Sequence, residues 1–157
     1  TLSFPTRRSS DLTAQLIQTS LTAAKNASNP QAMLDLIPYS TFIGAQAKIE
    51  NDEVLYWLER RSSNIGNPSL PAIHGGVIGG FLELSASIEI LYELDVNLIP
   101  KVVDFSLDYL RPGRYKTIYA NCTVLRQGSK LVNVTATAWQ DDIGRPIATA
   151  RCHFLLT

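Results

Sequence analysis

The sequence predicts an α+β fold, an antiparallel sheet wrapped around one long central helix, on three observations. The first is the stretch Pro71 to Leu94, which holds the longest apolar run of the chain. It keeps Val77, Phe81, Leu84, Ile88 and Leu91 at helical spacing. The second is a period-two alternation that takes over at Lys101 and continues almost to the last residue, broken only by turn-forming clusters. The third is the order of elements. The strands are segregated rather than alternating with helices, which favours antiparallel pairing over parallel crossover units.

The elements can be justified in order. Thr13 to Asn26 carries Leu16, Ile17, Leu21 and Ala24 in a loose helical period. Asn29-Pro30 reads as an N-cap followed by proline at the first helical position, opening a short helix through Ile37 that Pro38 is expected to stop. Phe42 to Ile49 and Val54 to Leu58 read as strands joined by a tight turn at Asn51-Asp52. Arg60 to Ala72, rich in Ser, Asn, Gly and Pro, reads as a loop leading into the central helix. After that helix, Lys101 to Leu110 is a strand closed by Arg111-Pro112-Gly113. Ile118 to Leu125, Val132 to Trp139 and Ala148 to Phe154 follow, with turns at Gln127-Gly128-Ser129 and Asp141 to Gly144. One face of these last strands is made of Ala, Val and Cys, a small surface that suits a sheet closing around a helix.

At 157 residues the chain is long enough for one domain with a substantial core. Lys+Arg 14 against Asp+Glu 14 gives zero net charge, so no electrostatic footprint for nucleic acid or an anionic membrane is present. No stretch reads as a transmembrane helix. Cys122 and Cys152 are expected to be free thiols in a reducing, cytoplasmic setting. His74 and His153 are the only histidines, too few to draw a metal-ligand cluster. Residues 1–12 do not read as part of the domain, which is expected over 13–157. The run Phe4 to Leu12 resembles a translated sequencing adapter, and Arg7-Arg8 is not followed by the apolar stretch of a signal peptide. Without residues 1–12 the balance is 14 − 2 = 12 basic and 14 − 1 = 13 acidic, so the partner argument is unchanged.

The central stretch also carries chemistry. His74-Gly75-Gly76 stands at the helix start, where first-turn N–H groups and the positive dipole end can hold an anion or polarise a carbonyl oxygen. Gly76, Gly80, Glu83 and Ser87 share a second face, so a carboxylate sits on a stripe of very small residues. Interior glycines cost roughly 1 kcal/mol each, and close approach of another group to the stripe would explain them. An oxyanion donor and a carboxylate on one element are the minimum equipment for acyl transfer. Against this stands the alternative that the glycines only pack tightly and Glu83 is a solvated or salt-bridged surface residue.

Three segments carry a resemblance: AIHGGVIGGFLELSA (Ala72 to Ala86), VDFSLDYLRPG (Val103 to Gly113), and the turns VLRQGSKLV and DDIGRPIA. In these the chain resembles the PaaI-type hotdog acyl-CoA thioesterases, over roughly Pro38 to Leu156. The resemblance implies a hotdog fold of two strands, one long helix and a four-strand meander. It implies Glu83 as nucleophile or as general base for water, and the Gly75 N–H as the donor that polarises the thioester carbonyl. His74 would shape the loop, Ser87 would orient the carboxylate or water, and Asn67 would match the polar residue ahead of the HGG motif, one residue further away than expected. The serine some members carry at the head of the next strand is replaced by Val102. Gly76, Arg111, Arg126 and Lys130 are the expected contacts to substrate, the last three to its phosphates. The family implies active sites at subunit interfaces of a homodimer or homotetramer, an acyl-CoA substrate, and no cofactor beyond the CoA portion of that substrate. Two other readings stay open: a non-catalytic acyl-CoA binding module with the same pocket, and a hotdog dehydratase, for which a second suitably placed histidine is missing.

Overall fold

A computed structural model describes the backbone of residues 7–157 and the side chains from residue 11 onward. The elements run α1 (Arg7–Asn26), α2 (Pro30–Asp35), α3 (Pro38–Ile43), β1 (Ala45–Glu50), β2 (Glu53–Leu58), β3 (Ile65–Asn67), β4 (Ala72–Ile73), α4 (Gly75–Glu93), β5 (Lys101–Tyr109), β6 (Ile118–Gln127), β7 (Leu131–Trp139) and β8 (Ala148–Leu155). Six strands form one antiparallel sheet in the order β1-β2-β6-β7-β8-β5, and β3 and β4 form a separate two-stranded ribbon. The sheet wraps α4, which packs on β2, β5, β6, β7 and β8. This is the α+β hotdog arrangement that the sequence predicts.

Small side chains make the wrapping possible. Ala120, Ala136, Ala138, Ala148 and Ala150 are buried on the face turned to the core, beside Val132, Val134 and Cys152. Alanine is not a favoured strand residue, and its short side chain lets the sheet approach the helix closely. Phe81, Leu82, Ile88, Ile90 and Leu91 of α4 fill the space, with Tyr56 and Phe154 fully buried on the sheet side. The helix is buried almost all round rather than on one stripe, so Ile78, Leu82 and Ile90 join the predicted apolar face. By length and composition α4 is a helix that could cross a membrane, contrary to the expectation that none would qualify. It is 67% buried inside the domain and serves as its core.

Several predicted boundaries need correction. α1 begins at Arg7, ahead of the helical period expected from Thr13. The Asn29 cap is as expected, its side chain accepting from the Ala32 N–H, but α2 ends at Asp35. Pro38 does not simply stop a helix; it is the first residue of α3. Proline tolerates that position because the N–H it lacks would be unpaired there anyway. α3 displaces the expected strand start at Phe42, and β1 begins after Gly44. Gly44 closes α3 at φ 82°, and a Cβ there would lie 2.5 Å from the Arg61 side chain. The Asn51-Asp52 turn is as predicted, both residues having positive φ as a type I′ hairpin requires. The loop expected over residues 60–72 contains the β3–β4 ribbon. Lastly, β5 does not belong to a four-strand meander. It pairs with β8, and the chain crosses the sheet to place β6 beside β2.

Candidate functional site

The β3–β4 ribbon and a buried asparagine position the start of α4. Asn64 is buried, and its Nδ2 donates to the Ile43 carbonyl at 2.7 Å. Its own carbonyl accepts from the His74 N–H at 2.8 Å. His74 thereby sits at the N-cap, where its Nδ1 accepts from the Gly76 N–H at 2.9 Å. The Val77 and Ile78 N–H groups donate to the His74 carbonyl at 3.0 and 3.2 Å. One first-turn donor is left, since no acceptor among the described residues takes up the Gly75 N–H. This division of labour assigns His74 to the cap, with its Nδ1 lone pair committed, and directs the Gly76 N–H to His74 rather than to a ligand.

Gly75 lines a recess of about 370 Å³ together with Ala72, Ile73, Ile78, Tyr109 and Arg111. A Cβ at Gly75 would lie 2.8 Å from the Tyr109 hydroxyl. Only glycine therefore lets that ring approach the free N–H. Asn67 takes no part here: it is exposed, and its Oδ1 accepts from the Ser69 N–H at 3.0 Å in a local turn.

Glu83 lies two turns further along α4. It is half-buried in a second recess of about 310 Å³, with Leu36, Ile37, Ser87, Ile99 and Phe154 among its walls. It has neither a hydrogen bond nor an ion pair among the described residues, and burial raises its pKa above the ordinary carboxylate value. Ser87, 6% exposed and equally without a partner, shares that recess. Between the two recesses the small stripe is occupied. A Cβ at Gly80 would lie 2.8 Å from the Tyr39 ring, so this glycine accommodates a side chain of the same molecule. Gly75 and Glu83 are 83 − 75 = 8 residues apart, roughly 12 Å along a helix axis. One chain presents them in separate recesses.

The predicted cationic contacts divide in the same way. Arg111 lines the Gly75 recess and an adjoining one of about 530 Å³ with Arg114, Lys116 and Arg145. Arg111 donates to the Pro146 carbonyl, and Lys116 is paired with Asp141. Asp142 accepts from the Gly144 N–H, and Arg145 has no side-chain partner among the described residues. Arg126 and Lys130 are exposed near the β6–β7 turn. Ile118 starts β6 beside Gly113 of the Gly75 recess, and Arg126 is 126 − 118 = 8 residues on, roughly 26 Å in extended chain. Within one chain these two cations stand apart from Gly75.

Tyr109 was expected as a pocket-lining residue, and it lines the Gly75 recess. Sequence reasoning missed three residues: Asn64 shapes the helix entry and Tyr39 covers Gly80. The third is Glu89, 5% exposed, whose Oε2 accepts from the Tyr56 hydroxyl at 2.7 Å. The one available signal was a carboxylate at position 89 amid an apolar run. Both cysteines are free thiols, as expected. His153 meets Asp104 at 2.9 Å on the outward sheet face.

Known proteins with this architecture include three informative structures. A protein from Chromobacterium violaceum shares 38% identity and a TM-score of 0.71, with 87% of this chain and 96% of that one covered. A phenylacetic acid degradation-related protein from Ralstonia eutropha has 18% identity and a TM-score of 0.66, covering 75% and 89%. A Bacillus halodurans protein, crystallised with CoA, has 20% identity and a TM-score of 0.65, covering 100% and 98%. No curated protein matches. The thioesterase superfamily model matches residues 70–147, from the loop before His74 through α4, β5, β6 and β7. The helix entry, the wrapped sheet and this match agree, and the chain belongs to the thioesterase superfamily.

Proposed function

We propose that the protein is an acyl-CoA thioesterase of the PaaI type, hydrolysing a thioester to free acid and CoA. The observation that carries the reading is the pair of uncommitted groups on α4: the Gly75 N–H and the Glu83 carboxylate. Glu83, or water activated by it, attacks the thioester carbon while the Gly75 N–H supports the developing oxyanion. A carboxylate whose pKa is raised by burial is the better base near neutral pH. Ser87 is placed to orient that carboxylate or the water. The Bacillus halodurans homologue holds CoA, which favours CoA as the leaving thiol. Arg111, Arg114 and Arg145, next to Gly75, are placed for its phosphates.

The roughly 12 Å between Gly75 and Glu83 is too long for one thioester to meet both in a single chain. The reaction centre therefore combines Glu83 of one copy with Gly75 of another, in at least a homodimer. β5 supports this assembly: it is an edge strand of the sheet, and Val103 and Tyr109 on it are exposed. Arg126 and Lys130, remote from Gly75 within one chain, would serve a site only from the second copy.

Mixing tests both statements. Glu83→Gln and Gly75→Pro subunits should each be nearly inactive. Unfolded and refolded together in equal amounts, half the dimers are mixed, and each mixed dimer has one intact centre. Activity should return to about one quarter of wild type. No recovery, with folded mixed dimers demonstrated, would place both groups in one chain or remove one from catalysis. Tight binding of acyl-CoA without thiol release from any acyl group would favour the non-catalytic binding module.

A further inference from the structure

We infer that the substrate is a medium- to long-chain aliphatic acyl thioester, and that its chain runs from the Glu83 recess past Ile99 into an apolar groove between α1 and the ends of β5 and β8. This rests on the thioesterase reading and deepens it. The groove measures about 370 Å³, and Ile17, Leu21, Leu98, Ile99, Leu155 and Leu156 are its apolar walls. Ile99 also lines the Glu83 recess and is the one residue common to both linings. The two spaces are thus neighbours sharing one side chain as their partition.

The walls are built rather than incidental. Gln18 donates to the Asn97 carbonyl at 2.7 Å, tying α1 to the connection between α4 and β5. Lys25 donates to the Leu91 and Leu94 carbonyls at 2.7 and 2.8 Å, fixing α1 against the C-terminal end of α4. Ile17 and Leu98 nevertheless stay 38% and 55% exposed, an apolar surface left open along the groove. The chemistry of the lining selects the ligand. Among the described residues the groove has no aromatic ring for stacking, and its one charged side chain, Lys101, stands at the sheet end. A flat aryl group would be served by the Glu83 recess alone, whereas an added aliphatic trough rewards a straight chain with each methylene buried.

A series from butyryl- to dodecanoyl-CoA, kept below micellar concentrations, reads this directly. kcat/KM should rise about fourfold per added methylene, the worth of one buried CH₂, until the groove is full. Ile17→Asp should cut the dodecanoyl-to-butyryl ratio at least tenfold, and Ile17→Leu should restore it. Leu98→Asp, at a more exposed wall, gives the same answer should Ile17→Asp fail to fold. A ratio that these variants leave unchanged overturns the proposal, as does a wild-type enzyme indifferent to length or faster on aryl thioesters. If instead Ile17→Asp changes the sedimenting mass while the ratio holds, a second copy covers the groove and the proposal also falls. Absence of turnover on every thioester would defeat the thioesterase reading separately. The groove is then judged by dissociation constants: it stands if dodecanoyl-CoA binds at least tenfold tighter than butyryl-CoA and Ile17→Asp abolishes the difference, and falls otherwise.

Discussion

Glu83 and Glu89 sit on the same helix, 89 − 83 = 6 residues apart, and desolvation raises both carboxyl pKa values. Their surroundings differ in one respect that matters. Glu89 is 5% exposed and committed, accepting from the Tyr56 hydroxyl and bonding to Glu93 a turn later. Asp52, Glu53, Glu93, Tyr92 and Cys122 line the recess beside it, and no lysine or arginine is among those walls. Its pKa is pushed up to about 8, so the carboxyl keeps its proton at neutral pH. Tyr56 is likewise held well above its ordinary value, chiefly by burial. Glu83 is half-buried, without a partner among the described residues, and lines an open recess. A raised pKa alone therefore does not mark a catalytic carboxylate. Uncommitted lone pairs are what set Glu83 apart from Glu89.

The largest expected effect divides the two residues by activity. Glu83→Gln keeps the side-chain shape and removes the base or nucleophile, so kcat and kcat/KM should both fall by about 10²–10⁴. Glu89→Gln should leave kcat within about threefold, as a change outside the reacting groups. For wild type, the acid limb of the kcat/KM profile should lie above the ordinary carboxylate pKa, because the proposed mechanism needs Glu83 ionised and burial opposes that. Near-normal turnover by Glu83→Gln on the best acyl-CoA would make that carboxylate structural and reverse the comparison.

The next effect divides them by stability. Glu89 has a folded pKa of about 8 against an ordinary 4.5, so the folded state binds more protons between those values. Its contribution is complete below the lower value and is lost as pH rises through the higher one. Wild type should accordingly lose stability from pH 5 to pH 9, by an amount on the order of a few kcal/mol. In Glu89→Gln that loss should largely disappear, since a neutral amide can still accept from Tyr56. Urea midpoints for both proteins across this range provide the measurement. Parallel slopes would mean that Glu89 is not the group that takes up the charge.

Much of this was legible beforehand, for identifiable reasons. Strand alternation is enforced wherever one face is buried, which is why β6, β7 and β8 were readable from Val and Ala spacing. Asn51-Asp52 was readable because few residues tolerate two positive φ values in succession. Pro38 was ambiguous: proline ends one helix and begins another with equal ease, and α3 is tied down by side-chain bonds that no local pattern announces, from the buried Ser40 hydroxyl to the Leu34 carbonyl and from Asn64 to the Ile43 carbonyl. The place of β5 was not legible, because a strand's neighbour depends on packing across the whole sheet. Glu89 was missed for a similar reason. Its partner Tyr56 is 89 − 56 = 33 residues away in sequence, and a helix buried all round has no polar face to predict. The separation of Gly75 from Glu83 was implicit in the helical rise, yet it became consequential only when Tyr39 was found between their recesses.

The smallest expected effect is a control on both carboxylates. We take the domain proper to begin at Thr13, and deletion of residues 1–12 tests it. The deletion removes the start of α1, but Leu12 and Leu16 are 62% and 69% exposed, and the groove walls contributed by α1 begin at Ala14. The bonds that anchor α1, from Gln18 and Lys25, lie beyond the cut. Stability should change by no more than about 0.5 kcal/mol, a shift of roughly 1–2 °C in Tm for a chain of this size. Neither the acid limb set by Glu83 nor the alkaline loss set by Glu89 should move. A loss of several kcal/mol would show that the first residues pack on the domain, and a displaced acid limb would place them at the substrate recess.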